Sequence, residues 1–144
     1  MNAQLLSILN QLARLDLAAE PALQTHARWL VLDTLGCITA GLRAQPVASL
    51  SQAAAAADPG GFRFNPNGGP GLSAAHAAMV LAMAACWDEA CEGHAGAHGR
   101  PGVAALAALL PMASQLTYGQ FLTSFVVGYE VGARMGASLR INKG

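Results

Sequence analysis

The segment 84–102 holds most of the residues of this chain that could do chemistry. Its sequence is AACWDEACEGHAGAHGRPG. It contains three of the eight acidic side chains, two of the four histidines and two of the three cysteines, whereas the flanking sequence is mainly Ala, Leu, Val and Met. Polar chemistry gathered in one glycine-rich loop of an apolar chain is typical of a functional site. This segment is therefore the first candidate site.

Acid–base work on a small carboxylate is the chemistry that these residue types fit best. Histidine is the usual proton carrier near neutral pH, so His94 and His98 are candidates. The guanidinium of Arg100 can hold a carboxylate, and a helix that opens at Pro101 should offer free N–H groups to an anion. Asp88, at the end of an apolar helix, could orient a histidine. Spacing alone favours the alternative, in which the histidines are solvated loop residues and the acidic residues are helix-end charges.

Three other kinds of site match parts of the segment less well. Cys91, His94 and His98 have the types of zinc ligands, but no second cysteine pair follows and the intervening glycines disfavour a stable helix face. A Cys-His nucleophile pair lacks a recognisable third group to orient it. A phosphate-binding loop is disfavoured because no strand precedes the glycines and no lysine accompanies them. We therefore do not expect a metal site in this segment.

The composition predicts a chain with much of its surface covered by protein. It is 53% hydrophobic and only 11% charged, against roughly 25% charged in ordinary soluble domains. No apolar run reaches the roughly 20 residues that span a membrane, and the N-terminus does not resemble a signal peptide. We expect a cytoplasmic protein with no membrane partner, which buries its surface against a partner, a second copy or further chain of its own.

The charge balance argues against one class of partner, and the cysteine count indicates the redox state of the thiols. The formal net charge is zero and no basic stripe is present, so nucleic acid is not expected as a partner. The three cysteines are predicted to be reduced thiols, as is usual in the cytoplasm.

Apolar periodicity predicts an all-α fold, a bundle of about six helices in one domain. The predicted helices cover residues 2–17, 21–42, 47–57, 74–91, 101–110 and 120–139. A loop or short extended piece is predicted over 62–71, and Ser73 is the expected N-cap of a central, buried fourth helix.

The last predicted helix carries three glycines at four-residue spacing, Gly128, Gly132 and Gly136. Each costs a helix roughly 1 kcal/mol relative to alanine, so we expect this ridge to pack closely on another helix. Glu130 and Arg134, four residues apart, can form an ion pair.

The order of these motifs resembles that of the MmgE/PrpD family. The resemblance covers about residues 5–139 and is most specific in LVLDTLGC at 30–37 and VVGYEVGARMG at 126–136. The family includes 2-methylcitrate dehydratase, cis-aconitate decarboxylase and iminodisuccinate epimerase. It implies a helical domain followed by a smaller α/β lid domain, an active site between the two, and a homodimer. Residues 1–144 would then be one helical domain, truncated relative to the family and without the lid.

The resemblance also implies a function and its residues. The family motif D-[FY]-[DN]-D-T, followed by H-P-[SG], places Trp87, Asp88 and Glu89 on its aromatic and next two positions and His98 on its histidine. It implies a cofactor-independent lyase or isomerase that removes a proton next to a carboxylate of a small di- or tricarboxylate, as 2-methylcitrate dehydratase does. His98 and Asp88 would be catalytic, and substrate would be bound by Arg100, His94 and Glu89.

Several positions depart from the family pattern and motivate a second hypothesis. Cys86 replaces the first aspartate, Ala90 replaces the threonine, Gly99-Arg100 replaces Pro-Ser or Pro-Gly, and Ala78-Met79 replaces Asn-Gly. Because the second domain of the family is also missing, the chain would then be a catalytically inactive remnant or assembly domain. Its apolar faces and glycine ridge would mediate homo-oligomerisation.

Overall fold

The computed structural model describes residues 3–65 and 68–138. These ranges contain six α-helices and one short strand, which confirms the all-α prediction. The elements are α1 (Ala3–Ala13), α2 (Pro21–Gly41), α3 (Gln45–Ala57), β1 (Pro59–Phe62), α4 (Ala74–Cys86), α5 (Pro101–Leu109) and α6 (Tyr118–Ser138). Two 3-10 segments, Leu17–Ala19 and Leu110–Gln115, lie before α2 and after α5. None of the described helices is both long and apolar enough to cross a membrane.

Helix α4 is the centre of the bundle, as predicted. It begins at its N-cap Ser73, whose side chain accepts a hydrogen bond from the backbone N–H of His76. Its buried residues are Ala77, Val80, Leu81, Ala84 and Ala85. Helices α2, α3 and α5 all pack on it. Because small side chains dominate this helix, its neighbours can approach closely.

The predicted end of α4 is wrong. The helix stops at Cys86, five residues earlier than expected, and residues 87–100 form the polar loop. Glu89 adopts a left-handed conformation with φ 55°, and its N–H donates to the carbonyl of Cys86. A left-handed residue reverses the chain at a helix end, and glycine usually occupies that position. The apolar pattern gave no signal for this turn because a glutamate occupies it.

Helix α6 begins two residues earlier than predicted because Thr117 and Gln120 form a capping box. The Gln120 side chain accepts from the backbone N–H of Thr117 at 2.9 Å, and the Thr117 hydroxyl accepts from the N–H of Gln120 at 3.3 Å. This reciprocal pair satisfies two backbone donors at the start of the helix.

The glycine ridge of α6 packs against α5 and the loop before it, which confirms the predicted close contact. A Cβ atom at Gly128 would lie 3.1 Å from Cβ of Ala105, and one at Gly132 would lie 3.1 Å from Cβ of Pro101. At Gly136 it would lie 2.9 Å from the carbonyl oxygen of His98. The ridge therefore sets where the candidate loop lies on α6. Because α5 and the loop already cover it, the expectation that the ridge mediates homo-oligomerisation is wrong.

Candidate active site

The carboxylate of Glu92 anchors the polar loop to the bundle. One oxygen accepts from the N–H of Gly102 at 2.7 Å, and the other accepts from the Tyr129 hydroxyl at 3.5 Å. The backbone N–H of Glu92 in turn donates to the Asp33 carboxylate of α2 at 3.3 Å. Glu92 thus links α2, α5 and α6, a role that could not be assigned from its type and spacing alone.

The expectation of free N–H groups for an anion at the start of α5 needs correction. Pro101 has no N–H, and the first available donor, Gly102, is already bound to Glu92. A carboxylate at a helix N-terminus is stabilised by the helix dipole. The protein's own acid therefore occupies the position that we expected a substrate to fill.

Arg100 and Glu89, both predicted to bind substrate, form an ion pair. The Arg100 side chain is 28% exposed and that of Glu89 is 75% exposed. The Glu89 carboxylate, followed by the adjacent Cys86 thiol, raises the pKa of the Arg100 guanidinium above its ordinary value. The guanidinium therefore stays charged, and its planar fork retains N–H groups for a second carboxylate.

His94 lies half-buried on the side of the loop that faces α6. Its Nδ1 atom accepts from the N–H of Gly96 at 3.1 Å, and its ring lies 6.1 Å from the ring of Tyr129. Burial, and then the nearby Glu92 carboxylate, raise the pKa of the Tyr129 hydroxyl. His94, Tyr129, His26 and Glu130 line a cavity of about 220 Å³ together with apolar residues of α2 and α6.

His98 is exposed at the end of the loop, where α6 passes beneath its backbone. Its side chain forms no hydrogen bond or ion pair with any residue in 3–65 or 68–138. Asp88 is also exposed, and no hydrogen bond joins it to His98 in the same ranges. The role of Asp88 in orienting His98 therefore stays a prediction.

The predicted site residues have different neighbours in the structure. Burial, and then the charges of Asp33 and Asp88, raise the pKa of the Cys37 thiol on α2, whereas the charge of Arg100 lowers it. The ring of His94 lies instead near the ring of Tyr129 on α6.

Two residues that line the cavity beside His94 were not identified as site residues from the sequence. Tyr129 belongs to the GYEV motif, so its place on α6 was visible although its contact with His94 was not. His26 has no motif around it, and only the packing of α2 beside α6 brings it to the cavity.

No three His, Cys, Asp or Glu side chains in the described ranges are grouped so that they could hold a metal ion. Cys91 is buried in the apolar core, whereas His98 is exposed. The ligand types of C-x2-H-x3-H therefore do not converge in this loop.

Comparison with other proteins places the chain in a family. Searches of curated proteins and of solved structures give no match. A family model described as the MmgE/PrpD N-terminal domain matches residues 8–144. The match covers both segments that carried the resemblance and the whole polar loop. The chain therefore belongs to the MmgE/PrpD family.

Proposed function

We propose that this chain supplies part of the active site of a cofactor-independent lyase or isomerase. The reaction would remove a proton next to a carboxylate of a small di- or tricarboxylate, in the manner of 2-methylcitrate dehydratase. The observation that carries the proposal is the exposed imidazole of His98, which has no protein partner among the described residues. An unpartnered imidazole two residues from a paired guanidinium in the same loop suits proton transfer on an anionic substrate.

In this proposal the other predicted site residues bind the substrate or position the groups that do. Arg100 binds a substrate carboxylate through the N–H groups that Glu89 leaves free. Glu89 holds the guanidinium in place before substrate arrives, and its 75% exposed carboxylate can be displaced at little cost. Asp88 orients His98 once substrate is bound, and His94 contacts the substrate from the α6 side.

Replacement of His98 in the full-length or reconstituted protein tests the proposal. A general acid or base contributes about 100-fold to 10,000-fold to a rate, so His98→Ala should lower kcat by a factor in that range. His76→Gln is the matched control, because His76 lies in a separate network with Asp58 and Ser73. Undiminished turnover by His98→Ala would rule out the role of His98.

A second function, assembly without catalysis, is favoured by the exposed apolar residues of α2. Trp29 is 65% exposed and Leu32 is 58% exposed, three residues apart on one helix. Side chains of this kind at the surface are typical of protein contacts. Sizing in solution together with a panel of 2-methylcitrate, cis-aconitate and aspartate-derived imines separates the functions. A stable oligomer that turns over none of them supports the second, and turnover contradicts it.

A further inference from the structure

The three cysteines converge where α2 meets the end of α4. Asp33, Cys37 and Gly41 are four residues apart and so share one face of α2. Asp33 binds the N–H of Glu92, and Gly41 lies against the carbonyl of Ala84. Cys37 therefore faces the chain between residues 84 and 92, which contains Cys86 and Cys91. All three are free thiols.

The turn after α4 leaves Cys86 and Cys91 close enough for their thiols to interact. Cys86 is the last residue of the helix, and the left-handed Glu89 turns the chain back on itself. Cys91 then enters the apolar core, and Cys86 packs against that core. The side chains of Trp87, Asp88, Glu89 and Ala90 between them are all exposed, so this segment can adjust its backbone without disturbing buried packing.

The environments of the two thiols differ. Burial, with a smaller contribution from the Cys86 thiol, raises the pKa of Cys91 to about 11, so it stays protonated. Cys86 is half-buried, and the Arg100 guanidinium that pairs with Glu89 lies close to its thiol. An accessible thiol with a second thiol nearby to form the disulfide is the usual arrangement of a reversible oxidation site.

We propose that Cys86 and Cys91 form a site of reversible oxidation, with a hydroperoxide as the oxidant. The Cys86 thiolate attacks a peroxide oxygen and the O–O bond breaks, which gives a sulfenic acid and a hydroxide that takes up a proton to become water. The sulfur of Cys91 then attacks the sulfenic sulfur. The S–O bond breaks, and the hydroxyl group leaves with the Cys91 proton as a second water. Two thiols are oxidised to one disulfide and one peroxide is reduced to two waters.

Oxidation changes the candidate active site, although the proposal does not depend on the proposed function. A disulfide between these residues closes a small ring around the turn and ties the loop to the end of α4. It also removes the thiol that lies close to Arg100. The loop that carries His94 and His98 is then held by a covalent bond as well as by Glu92.

Peptide mapping of peroxide-treated protein tests the proposal. Trypsin does not cleave before Pro101, so Cys86 and Cys91 share the peptide 64–134, whereas Cys37 lies in the peptide 29–43. Treatment with hydrogen peroxide and then N-ethylmaleimide should leave peptide 64–134 unlabelled and lighter by two hydrogens, while peptide 29–43 carries one label. Dithiothreitol should restore both labels on 64–134.

Single substitutions identify the attacking and the resolving thiol. Cys91→Ser should prevent the disulfide and leave a Cys86 sulfenic acid that dimedone traps, and Cys37→Ser is the control that should still form the disulfide. A cross-link between peptides 29–43 and 64–134 would overturn the proposal. So would two maleimide labels on 64–134 after peroxide treatment, or sulfinic acid as the main product of the unsubstituted chain.

Discussion

The carboxylate of Glu92 shows how one side chain can hold a whole loop. It is half-buried and accepts from the α5 backbone and from the Tyr129 hydroxyl, while its own N–H is bound by Asp33. Hydrogen bonds to charged groups contribute more to stability than neutral ones, and a capping carboxylate adds a favourable interaction with the helix dipole. Loss of Glu92 should therefore loosen the candidate site as well as destabilise the fold.

We predict that Glu92→Ala lowers the free energy of unfolding by about 2 kcal/mol, because it leaves the Gly102 N–H and the Tyr129 hydroxyl without their partner. Glu92→Gln keeps an acceptor and should cost about half as much. Urea unfolding followed by circular dichroism measures both. Glu20→Ala is the control, since Glu20 is exposed and its side chain forms no capping bond. Equal stability of Glu92→Ala and the unsubstituted chain would contradict the anchoring role.

Asp58 should make the stability depend on pH. Its carboxylate is hydrogen-bonded to Ser73 and to His76, and these bonds hold the pKa of Asp58 below its ordinary value of 3.8. A carboxyl group whose pKa is lowered on folding stabilises the fold above its unfolded pKa. That stabilisation is lost as the pH falls through the folded pKa.

The expected result is that Asp58→Asn is less stable than the unsubstituted chain at pH 6 and that this difference shrinks as the pH falls below about 4. Chemical unfolding at a series of pH values measures it. Asp88→Asn is the matched control, because Asp88 is exposed and forms no hydrogen bond within the described chain. A constant difference between Asp58→Asn and the unsubstituted chain over this pH range would show that the hydrogen bonds do not depend on the charge.

The sequence identified individual polar residues but not their partners. His94 and Arg100 were recognisable as chemistry-bearing residues because few polar side chains occur nearby. Their contacts with Tyr129 and Glu89 depend on the turn at residue 89 and on the packing of α6, neither of which a periodic pattern encodes. The role of Glu92 depends on three elements at once, so it could be seen only in the folded chain.

Among the elements, the helices were predictable and their ends were less so. The apolar spacing located all six, and Pro21, Ser73 and Pro101 marked three starts correctly. The starts and ends that differ depend on local contacts, such as the capping box of Thr117 and the left-handed Glu89. The close approach of two helix backbones at a glycine is a second feature at the scale of the helices, and it can be tested directly.

Two glycines on α2 form a matched pair for such a test. A Cβ atom at Gly41 would lie 2.0 Å from the carbonyl oxygen of Ala84, whereas one at Gly36 would meet nothing within 4 Å. Gly41→Ala should destabilise the fold by about 3 kcal/mol, because α2 and α4 must separate. Gly36→Ala should stabilise it by up to about 1 kcal/mol through helix propensity. Thermal and urea unfolding measure both, and two changes of the same sign would contradict this packing.

At the scale of the whole molecule, the low content of charged residues can be related to the positions of the apolar side chains. Part of the 53% hydrophobic content fills the small-residue core around α4. Part remains outside, at Trp29 and Leu32 of α2 and at Tyr118 and Met135 of α6. No residue in the described ranges covers these side chains, which is consistent with the sequence expectation of a covered surface.

We predict that the chain self-associates through Leu32 and Trp29 on the exposed face of α2. In a two-fold symmetric dimer each substitution enters the interface twice. Leu32→Glu removes apolar contact and introduces two like charges, so it should weaken the dimer at least about 100-fold. Gln115→Glu adds the same charge at an exposed polar position outside α2 and is the control. Sedimentation velocity over a concentration series measures the association. A monomeric unsubstituted chain, or equal weakening by the two substitutions, would show that this face of α2 does not join copies of the chain.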